Sequence, residues 1–385
     1  MKLVCVVSAL DINLGYGCTP AWWQLLKGLH ELGHDVIAIP YAGQAFATPW
    51  WRSYPNPCQV EGQAFGALKK MFGGGASTTS DGAGGAINKA LIDTWVRPRW
   101  EAHLASVLAR ERDVDAAIVF TVPVNHFTGL PQRLRKRCNV PFYYFDGDVP
   151  ASLPKFGGFA SGFRGYDNAD LAEYDGFMSN STAGVDELKT MGARRVETVH
   201  WGVDPELYAP VELPEEHDVF FYGYGVEYRE EWFDNMLVTP CGVLEDKKFA
   251  LGGKGFPPTP VKLHYVGNVP FNGLRQACAR ARINLNISRS AHAGVFGSST
   301  LRLFELAAMG CCIVSNPHEG IETWFDVGKE IIVVHSAEEA IEAYSALLAD
   351  ADKRKAMGVA ARERVLRDHT YLHRAKQIAS FVSNG

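Results

Sequence analysis

The sequence predicts an α/β protein built from two doubly wound units with parallel sheets. Short apolar runs alternate with helical patterns along most of the chain, which is the rhythm of β-loop-α-β units. The 385 residues exceed what one hydrophobic core usually serves and suit two domains of about 150–200 residues each. Apolar residues make up 47% and charged residues 21%, which excludes a largely disordered chain, a collagen and a coiled coil.

The N-terminal half opens on a buried strand followed by a loop that contains Gly15 and Gly17. Pro20 suits the first turn of a helix that ends at Gly33. Apolar runs predict the strands of this half at residues 3–7, 36–39, 116–120 and 142–145. Residues 73–85 are almost all Gly, Ser, Thr and Ala, so they predict a loop that serves as a plain linker or as a lid over an acceptor site.

A second α/β series follows the segment 200–205, which marks the expected domain boundary. Its strands are expected at 219–222, 263–266, 283–287, 312–315 and 331–334. Its helices are expected at 273–281, 301–309, 337–348, 352–367 and 370–382. Ser336 and Glu339 resemble a capping box, which places the start of the third of these helices.

Charge and cysteine content narrow the class of protein further. The net charge of −5 does not favour nucleic-acid binding through a strongly basic surface. The eight cysteines form no CxxC and join no histidine cluster at zinc-finger spacing, so reduced thiols and a cytoplasmic protein are expected. No apolar run reaches 18 residues, so no transmembrane helix is expected.

The segment 296–309, FGSSTLRLFELAAM, is the first candidate site. Ser298, Ser299 and Thr300 precede an apolar helix, whose start presents backbone N–H groups and the positive end of the helix dipole to an anion such as a diphosphate. Arg302 and Glu305 are three residues apart and share one helix face. The arginine could pair with a phosphate and the glutamate could accept hydrogen bonds from ribose hydroxyls; the alternative is a surface ion pair on a capped helix.

A second candidate lies at residues 220–229, FFYGYGVEYR. Gly223 allows a close approach of the backbone, and Arg229 could contact a phosphate. Arg289 follows the expected strand 283–287, so it would lie at the same carboxyl edge of the sheet as the first candidate. The spacing does not fit GxGxxG, and GxxxxGK[ST] does not occur, so neither a standard NAD site nor a P-loop is supported.

These features, taken in order, resemble a known family. The residues that carry the resemblance are HWGVDPELYAP (200–210), DVFFYGYGVEYREEW (218–232), VKLHYVGNVPFNGLRQACARARINLNISR (261–289) and STLRLFELAAMGCCIVSNPHEGIETWFDVGKEIIVV (299–334). The chain looks like a GT-B glycosyltransferase, most similar to the glycosyl transferases group 1 that include the CgeB-like spore-maturation proteins. The N-terminal half matches only in outline.

The resemblance implies two Rossmann-like domains with parallel sheets facing across a cleft. Residues 1–202 would bind the acceptor, 203–369 would bind the nucleotide sugar, and a last helix at about 370–385 would pack back on the first domain. Retaining members carry two glutamates eight residues apart: Glu305 matches the second, whereas Gly297 stands where the first is expected. The resemblance implies no metal and no cofactor, with a UDP- or GDP-linked sugar as co-substrate.

The expected mechanism stabilises the diphosphate leaving group with Arg229, Arg302, Arg289 and the backbone amides of residues 298–300. Gly15 and Gly17 would let further amides approach the phosphate; the alternative is an ordinary β-α turn. If the reaction inverts configuration, Asp146, Asp148 or His126 must act as the base. The alternatives are turn carboxylates at a strand end for the aspartates and a structural role for the histidine. If the reaction retains configuration, the leaving phosphate itself can take the proton.

The resulting hypothesis is a metal-independent, retaining transfer of a sugar from a nucleotide diphosphate to the hydroxyl of a small molecule, glycan or other acceptor. Two alternatives remain open at this point. One is a nucleotide-sugar 2-epimerase of the same fold, which needs no acceptor. The other is a binding protein that senses a nucleotide sugar without catalysis.

Overall fold

The computed structural model describes residues 1–10, 20–59, 89–156, 165–225, 229–270 and 272–385. These residues form two compact units. The N-terminal unit takes the described residues up to Val199 apart from 20–24, together with Ala375–Gly385. The C-terminal unit takes residues 20–24 and His200–Arg374. Gly15, Gly17 and the expected loop 73–85 lie outside the described residues.

The N-terminal unit is built on a seven-stranded parallel sheet of order β3-β2-β1-β4-β5-β6-β7. Its strands are β1 (Lys2–Ala9), β2 (Asp35–Ala42), β3 (Arg52–Ser53), β4 (Ala116–Phe120), β5 (Phe142–Asp146), β6 (Gly176–Ser179) and β7 (Val196–Thr198). The central strands β1, β4 and β5 are almost continuous apolar runs because helices cover both faces of a parallel sheet. The expected parallel α/β architecture is confirmed here.

Among the described residues, the helices between these strands include α1 (Ala21–Glu31), whose first turn belongs to the C-terminal unit, α2 (Arg97–Glu111), α3 (Leu130–Cys138) and α4 (Gly184–Thr190). Single turns lie at Ile92–Val96, Val124–Phe127, Pro154–Phe156 and Leu171–Glu173. The turn Val124–Phe127 follows β4 and holds His126 at the carboxyl edge of the sheet. Trp100 of α2 is completely buried against this turn, with its ring centroid 5.4 Å from that of Phe127.

The C-terminal unit is built on a six-stranded parallel sheet of order β10-β9-β8-β11-β12-β13. Its strands are β8 (His217–Tyr224), β9 (Phe249–Lys254), β10 (His264–Gly267), β11 (Ala281–Asn286), β12 (Ile313–Ser315) and β13 (Ile332–Val333). The centre of this sheet places the carboxyl ends of β8, β11 and β12 side by side. Loops after these three strands therefore meet at one edge.

The helices and turns from residue 230 onward have three to eighteen residues. They are α5 (Glu230–Phe233), the turn Asp234–Val238, α6 (Thr239–Val243), α7 (Leu274–Ala279), α8 (Ser290–Ala293), α9 (Leu301–Ala308), the turn Ile321–Thr323, α10 (Ala337–Ala349), α11 (Ala351–Asp368) and α12 (Tyr371–Ser383). The serine half of the capping box expected at α10 is present, since the Ser336 hydroxyl accepts a hydrogen bond from the Glu339 N–H at 3.2 Å. The Glu339 carboxylate accepts instead from the His335 N–H, one residue before the N-cap, at 2.7 Å.

Helix α12 has its first residues in the C-terminal unit and the rest in the N-terminal unit. The buried guanidinium of Arg374 donates to the carbonyl oxygen of Trp201 at 3.0 Å. Further along, the Phe381 ring packs so closely on Gly176 that a Cβ there would lie 2.6 Å from it. Each part of the helix is therefore held by specific contacts within its own unit.

The close packing of α9 and α11 yields a stability prediction. A Cβ at Gly358 of α11 would lie 2.0 Å from the carbonyl oxygen of Gly310, just after α9. We expect Gly358→Ala to destabilise the protein by about 1–3 kcal/mol, because backbone must shift to admit the methyl group. Chemical denaturation measures this. Val359→Ala, on the exposed side of the same helix, should change stability by less than about 0.5 kcal/mol. Equal stability of the two variants would contradict the packing argument.

Candidate active site

The loop before α9 is fixed to the loop that follows β12. The Gly297 N–H donates to the carbonyl oxygen of Glu319 at 2.9 Å, and Gly297 has a φ of +64°, which suits glycine. A Cβ at Gly320 would lie 2.9 Å from the backbone nitrogen of Gly297. The absence of side chains at both positions therefore lets two loops meet at the carboxyl edge of the sheet.

The three hydroxyl residues before α9 do not have equivalent roles. The Ser298 N–H donates to the carbonyl oxygen of Val295 at 3.2 Å, so this amide is used within the loop. The Ser299 hydroxyl, which is buried, accepts a hydrogen bond from the Trp201 N–H at 2.9 Å. Thr300 occupies the N-cap position of α9 and makes no side-chain capping bond. Ser299 thus ties the loop to the segment that enters the C-terminal unit.

Arg302 and Glu305 face each other on α9. The Arg302 Nε lies 3.3 Å from Glu305 Oε2, and Glu305 is only 2% exposed. Because the carboxylate is buried, the pair is not the surface ion pair that was the alternative interpretation of the sequence. The guanidinium carbon of Arg302 lies 5.3 Å from the ring centroid of Tyr222, on β8, and the Tyr222 hydroxyl donates to Asn268 Oδ1 at 3.1 Å. A cation over an aromatic face is held in place by that ring.

The Glu305 carboxylate has unused capacity to accept hydrogen bonds. Its contact with Arg302 is the single side-chain interaction that it makes with the described residues. An ionised carboxylate can accept about four hydrogen bonds, and buried polar groups normally use their capacity. The geometry therefore leaves room at Glu305 for donors from a bound molecule.

Arg229 and Gly223 lie at the carboxyl end of β8, beside that of β11. The Arg229 Nε donates to the carbonyl oxygen of Ile287 at 2.8 Å, and a second guanidinium nitrogen donates to that of Tyr224 at 3.2 Å. Arg229 thereby ties the ends of two neighbouring strands together. A Cβ at Gly223 would lie 2.8 Å from the Phe221 ring, so this glycine serves close packing as well as any approach to a ligand.

Arg289 is placed differently from the other two arginines. It precedes α8 and is half-buried. Its guanidinium makes no hydrogen bond or ion pair with any residue that the structure describes. A cation without a counter-charge at the carboxyl edge of a parallel sheet suits an anionic ligand.

A buried polar network beneath these residues escaped the sequence analysis. Asn286 Nδ2 donates to the Ser315 hydroxyl at 2.9 Å, and the Ser288 N–H donates to Asn316 Oδ1 at 2.9 Å. His318 Nδ1 lies 3.4 Å from the Ser288 hydroxyl, and burial lowers the pKa of His318 to about 4, so its ring is neutral. The sequence signal for this network was a set of Asn, Ser and His residues at and just after the ends of two apolar strands. The network fixes the ends of β11 and β12 and so fixes the loops that they carry.

In the N-terminal unit, Asp146 ends β5 and is fully enclosed. Its carboxylate accepts hydrogen bonds from the Ser152 hydroxyl at 2.7 Å, the Tyr166 hydroxyl at 2.5 Å and the Asp148 N–H at 2.9 Å. Burial raises the pKa of Asp146, which the three donors partly oppose. These contacts suit a residue that shapes the turn, whereas Asp148 is partly exposed. The catalytic assignment of both aspartates stays a prediction.

His126 lies in the turn after β4, also at the carboxyl edge of its sheet. Its Nδ1 is 2.5 Å from the Tyr41 hydroxyl. Burial, together with the smaller effect of the nearby Arg97 cation, lowers the pKa of His126 to about 4. The imidazole is therefore neutral at pH 7. The contact with Tyr41 could not be foreseen, since 85 residues separate the two in sequence.

Among the described residues, no cluster of three or more His, Cys, Asp or Glu side chains has the arrangement of a metal site. The cysteines at described positions form no disulfide. None of the described helices combines the length and apolarity required to cross a bilayer.

The sequence of residues 229–380 matches the family model described as glycosyl transferase-like. A search of curated proteins finds no relative by sequence. Among solved structures, the chain is similar to a sucrose-phosphate synthase from Thermosynechococcus elongatus, with a TM-score of 0.65, 13% identity, and coverage of 100% of this chain and 99% of the other.

Two further structures hold nucleotides. An E. coli trehalose-6-phosphate structure bound with UDP-2-fluoro glucose has a TM-score of 0.62 and 14% identity, with 99% of each chain covered. Anabaena HepE in complex with UDP has a TM-score of 0.60 and 10% identity, with 100% of each chain covered. The prediction of a GT-B fold is confirmed, and so is the broad resemblance to glycosyltransferases. The narrower CgeB-like resemblance stays a prediction.

Proposed function

We propose that this chain, which has a GT-B fold and whose residues 229–380 match a glycosyl transferase-like family model, moves a sugar from a nucleotide diphosphate sugar to an acceptor hydroxyl. UDP is the first choice of nucleotide, because UDP or a UDP-sugar is bound in similar structures. GDP is the second choice. The donor would bind the C-terminal unit at the residues gathered around α9.

The observation that carries this proposal is the Glu305 carboxylate. It is 2% exposed and contacts one charged partner, Arg302. Vicinal hydroxyls of a ribose would supply two donors to the oxygens that remain, as buried carboxylates require. The helix N-terminus of α9 lies one turn away, where a diphosphate linked to that ribose would meet the positive end of the dipole.

Arginine side chains support departure of the diphosphate without a metal. Arg289 has no counter-charge among the described residues, and Arg302 is oriented by the Tyr222 ring. Negative charge accumulates on the diphosphate as the glycosidic bond breaks, and fixed cations stabilise that state most. Arg229, which already binds two carbonyl oxygens, would act by holding the strand ends in position.

We also propose that the reaction retains configuration and that the N-terminal unit serves the acceptor. The oxygens of Asp146 are occupied by three donors within the protein, and Nδ1 of His126 is occupied by Tyr41. Neither group is therefore well placed to remove a proton. A retaining reaction in which the leaving phosphate takes the acceptor proton needs no such base. Asp148 is the residue that would act if the reaction inverts.

A thermal-shift panel tests the proposed function. We expect one of UDP, GDP, ADP, CMP and dTDP to raise the melting temperature, in the presence of EDTA as well as Mg²⁺. At about 100 times the dissociation constant, a ligand specific for the folded state stabilises it by about 2.7 kcal/mol. Diphosphate sugars of the matching nucleotide are then incubated with the protein and candidate acceptors, and products are followed by mass spectrometry.

The panel also separates the alternatives. Conversion of the donor to an isomeric nucleotide sugar without any acceptor would indicate an epimerase. Tight binding with neither transfer nor hydrolysis would indicate a sensor. No shift with any nucleotide would overturn the assignment of the α9 residues to a donor.

A further inference from the structure

The contact between Tyr41 and His126 has a consequence for what the histidine can do. Tyr41 is the penultimate residue of β2, and its ring lies nearly parallel to that of buried Trp100, with centroids 5.5 Å apart and 19° between planes. The Asn56 side chain donates to the Tyr41 carbonyl oxygen at 2.7 Å. The phenol is therefore held on both its ring and its backbone, with its hydroxyl 2.5 Å from His126 Nδ1.

The histidine is held from its other side. Arg97 donates to the carbonyl oxygens of His126 and Asn125, at 3.2 and 2.9 Å, and itself pairs with Asp93 at 2.8 Å. These bonds fix the backbone of the turn Val124–Phe127. Both the ring and the backbone of His126 are thus held in place. A side chain that contacts a reacting substrate needs such a fixed position.

The proton between Tyr41 and His126 can be assigned by counting donors and acceptors. The Tyr41 hydroxyl has His126 Nδ1 as its single hydrogen-bonding partner among the described residues. If Nδ1 carried the proton, the phenol hydrogen would have no acceptor there. Burial raises the pKa of Tyr41 and lowers that of His126 to about 4, so the phenol keeps its hydrogen and the imidazole stays neutral. The phenol therefore donates to Nδ1, and the ring carries its hydrogen on Nε2.

We propose that Tyr41 is a positioning residue that holds His126 as the neutral Nε2–H tautomer, which makes His126 a hydrogen-bond donor to a substrate oxygen and not a base. Nε2 makes no hydrogen bond with the described residues, so its N–H is available to a bound molecule. A neutral imidazole in this state polarises an oxygen on which negative charge develops. The catalytic half of this inference rests on the proposed function, whereas the tautomer does not.

Nitrogen-15 NMR of protein labelled at histidine tests the tautomer directly. The His126 signals are assigned by their loss in His126→Gln. In the wild-type protein we expect the hydrogen on Nε2, with the Nδ1 resonance of a hydrogen-bonded acceptor. In Tyr41→Phe, which keeps the ring and loses the donor, the Nδ1 resonance should shift. Tyr54→Phe is the matched control, because it removes a hydroxyl bound to Glu111 in the same unit, and it should leave the His126 signals unchanged.

Transfer activity with the nucleotide sugar identified by the panel tests the role of the hydrogen on His126 Nε2. A glutamine amide can replace Nε2–H but cannot act as a base. We expect His126→Gln to retain activity within about tenfold of wild type, His126→Ala to lose about 100-fold or more, and Tyr41→Phe to lose about 2–10-fold in kcat, the effect of one ordinary hydrogen bond.

Three results would overturn the inference: a hydrogen on Nδ1 in the wild type, an unchanged Nδ1 resonance in Tyr41→Phe, or equal inactivity of His126→Gln and His126→Ala. Absence of transfer by the wild-type protein, combined with the expected NMR signals, would reject the proposed function and leave the Tyr41 assignment standing.

Discussion

Glu305→Ala is expected to raise the dissociation constant of the nucleotide about 30- to 150-fold. The variant removes a carboxylate whose remaining acceptor capacity we assign to ribose hydroxyls, and hydrogen bonds to a charged group contribute about 2–3 kcal/mol. Glu305→Gln should weaken binding less, because a neutral amide oxygen still accepts but more weakly. Isothermal titration calorimetry with the nucleotide identified by the panel measures the dissociation constants of the wild type, Glu305→Ala and Glu305→Gln.

A deoxyribose ligand makes this test specific to the hydroxyls. The wild-type protein should bind the 2′-deoxy nucleotide more weakly than the ribonucleotide, whereas Glu305→Ala should bind the two almost equally. Glu322→Ala, which removes an exposed carboxylate from the same unit, should behave as wild type. If Glu305→Ala kept the wild-type preference for ribose, the assignment of Glu305 would be wrong. Thermal unfolding of each variant shows whether lost binding reflects lost folding.

The fold was largely predictable because a parallel sheet buries both faces of its strands. Continuous apolar runs such as Ala116–Phe120 and residues 142–145 then stand out against helical segments, and each expected strand is present. The strands that escaped prediction have weak apolar signals. Phe249–Lys254 contains two glycines, and Gly176–Ser179 is short and begins with one. Tertiary pairing, rather than local preference, makes these segments strands.

The site was predictable in its location and less so in its contacts. Strand ends at one edge of a sheet bring Arg229, Arg289 and α9 together, as their order in the sequence suggested. No spacing rule could reveal that Ser299 binds the backbone of Trp201, 98 residues away, or that Tyr222 lies against Arg302. Such partners are set by tertiary packing. They give the Ser299 hydroxyl a role in positioning the loop, while the assignment of the Ser299 amide to a phosphate stays a prediction.

Arg302→Ala is expected to lower kcat about 100- to 1000-fold, with a smaller effect on donor affinity. The diphosphate gains negative charge as it departs, so a cation beside it stabilises the transition state more than the bound donor, and loss of one preorganised donor of this kind costs about that much. The substitution also leaves the buried Glu305 without its counter-charge, which destabilises the unit. Steady-state kinetics must therefore be combined with a measured unfolding midpoint.

Arg302→Lys separates charge from geometry. Lysine keeps a cation near Glu305 and preserves folding, but its ammonium cannot reproduce the planar group that lies over Tyr222. We expect a stable protein whose kcat falls about tenfold, with the donor KM nearly unchanged. Arg282→Ala is the matched control, because that guanidinium pairs with Glu215 and Asp218 at the opposite edge of the same sheet, and its kcat should equal that of wild type. A normal kcat in both Arg302 variants would remove this arginine from the leaving-group role and leave Arg289 as the cation that opposes the diphosphate charge.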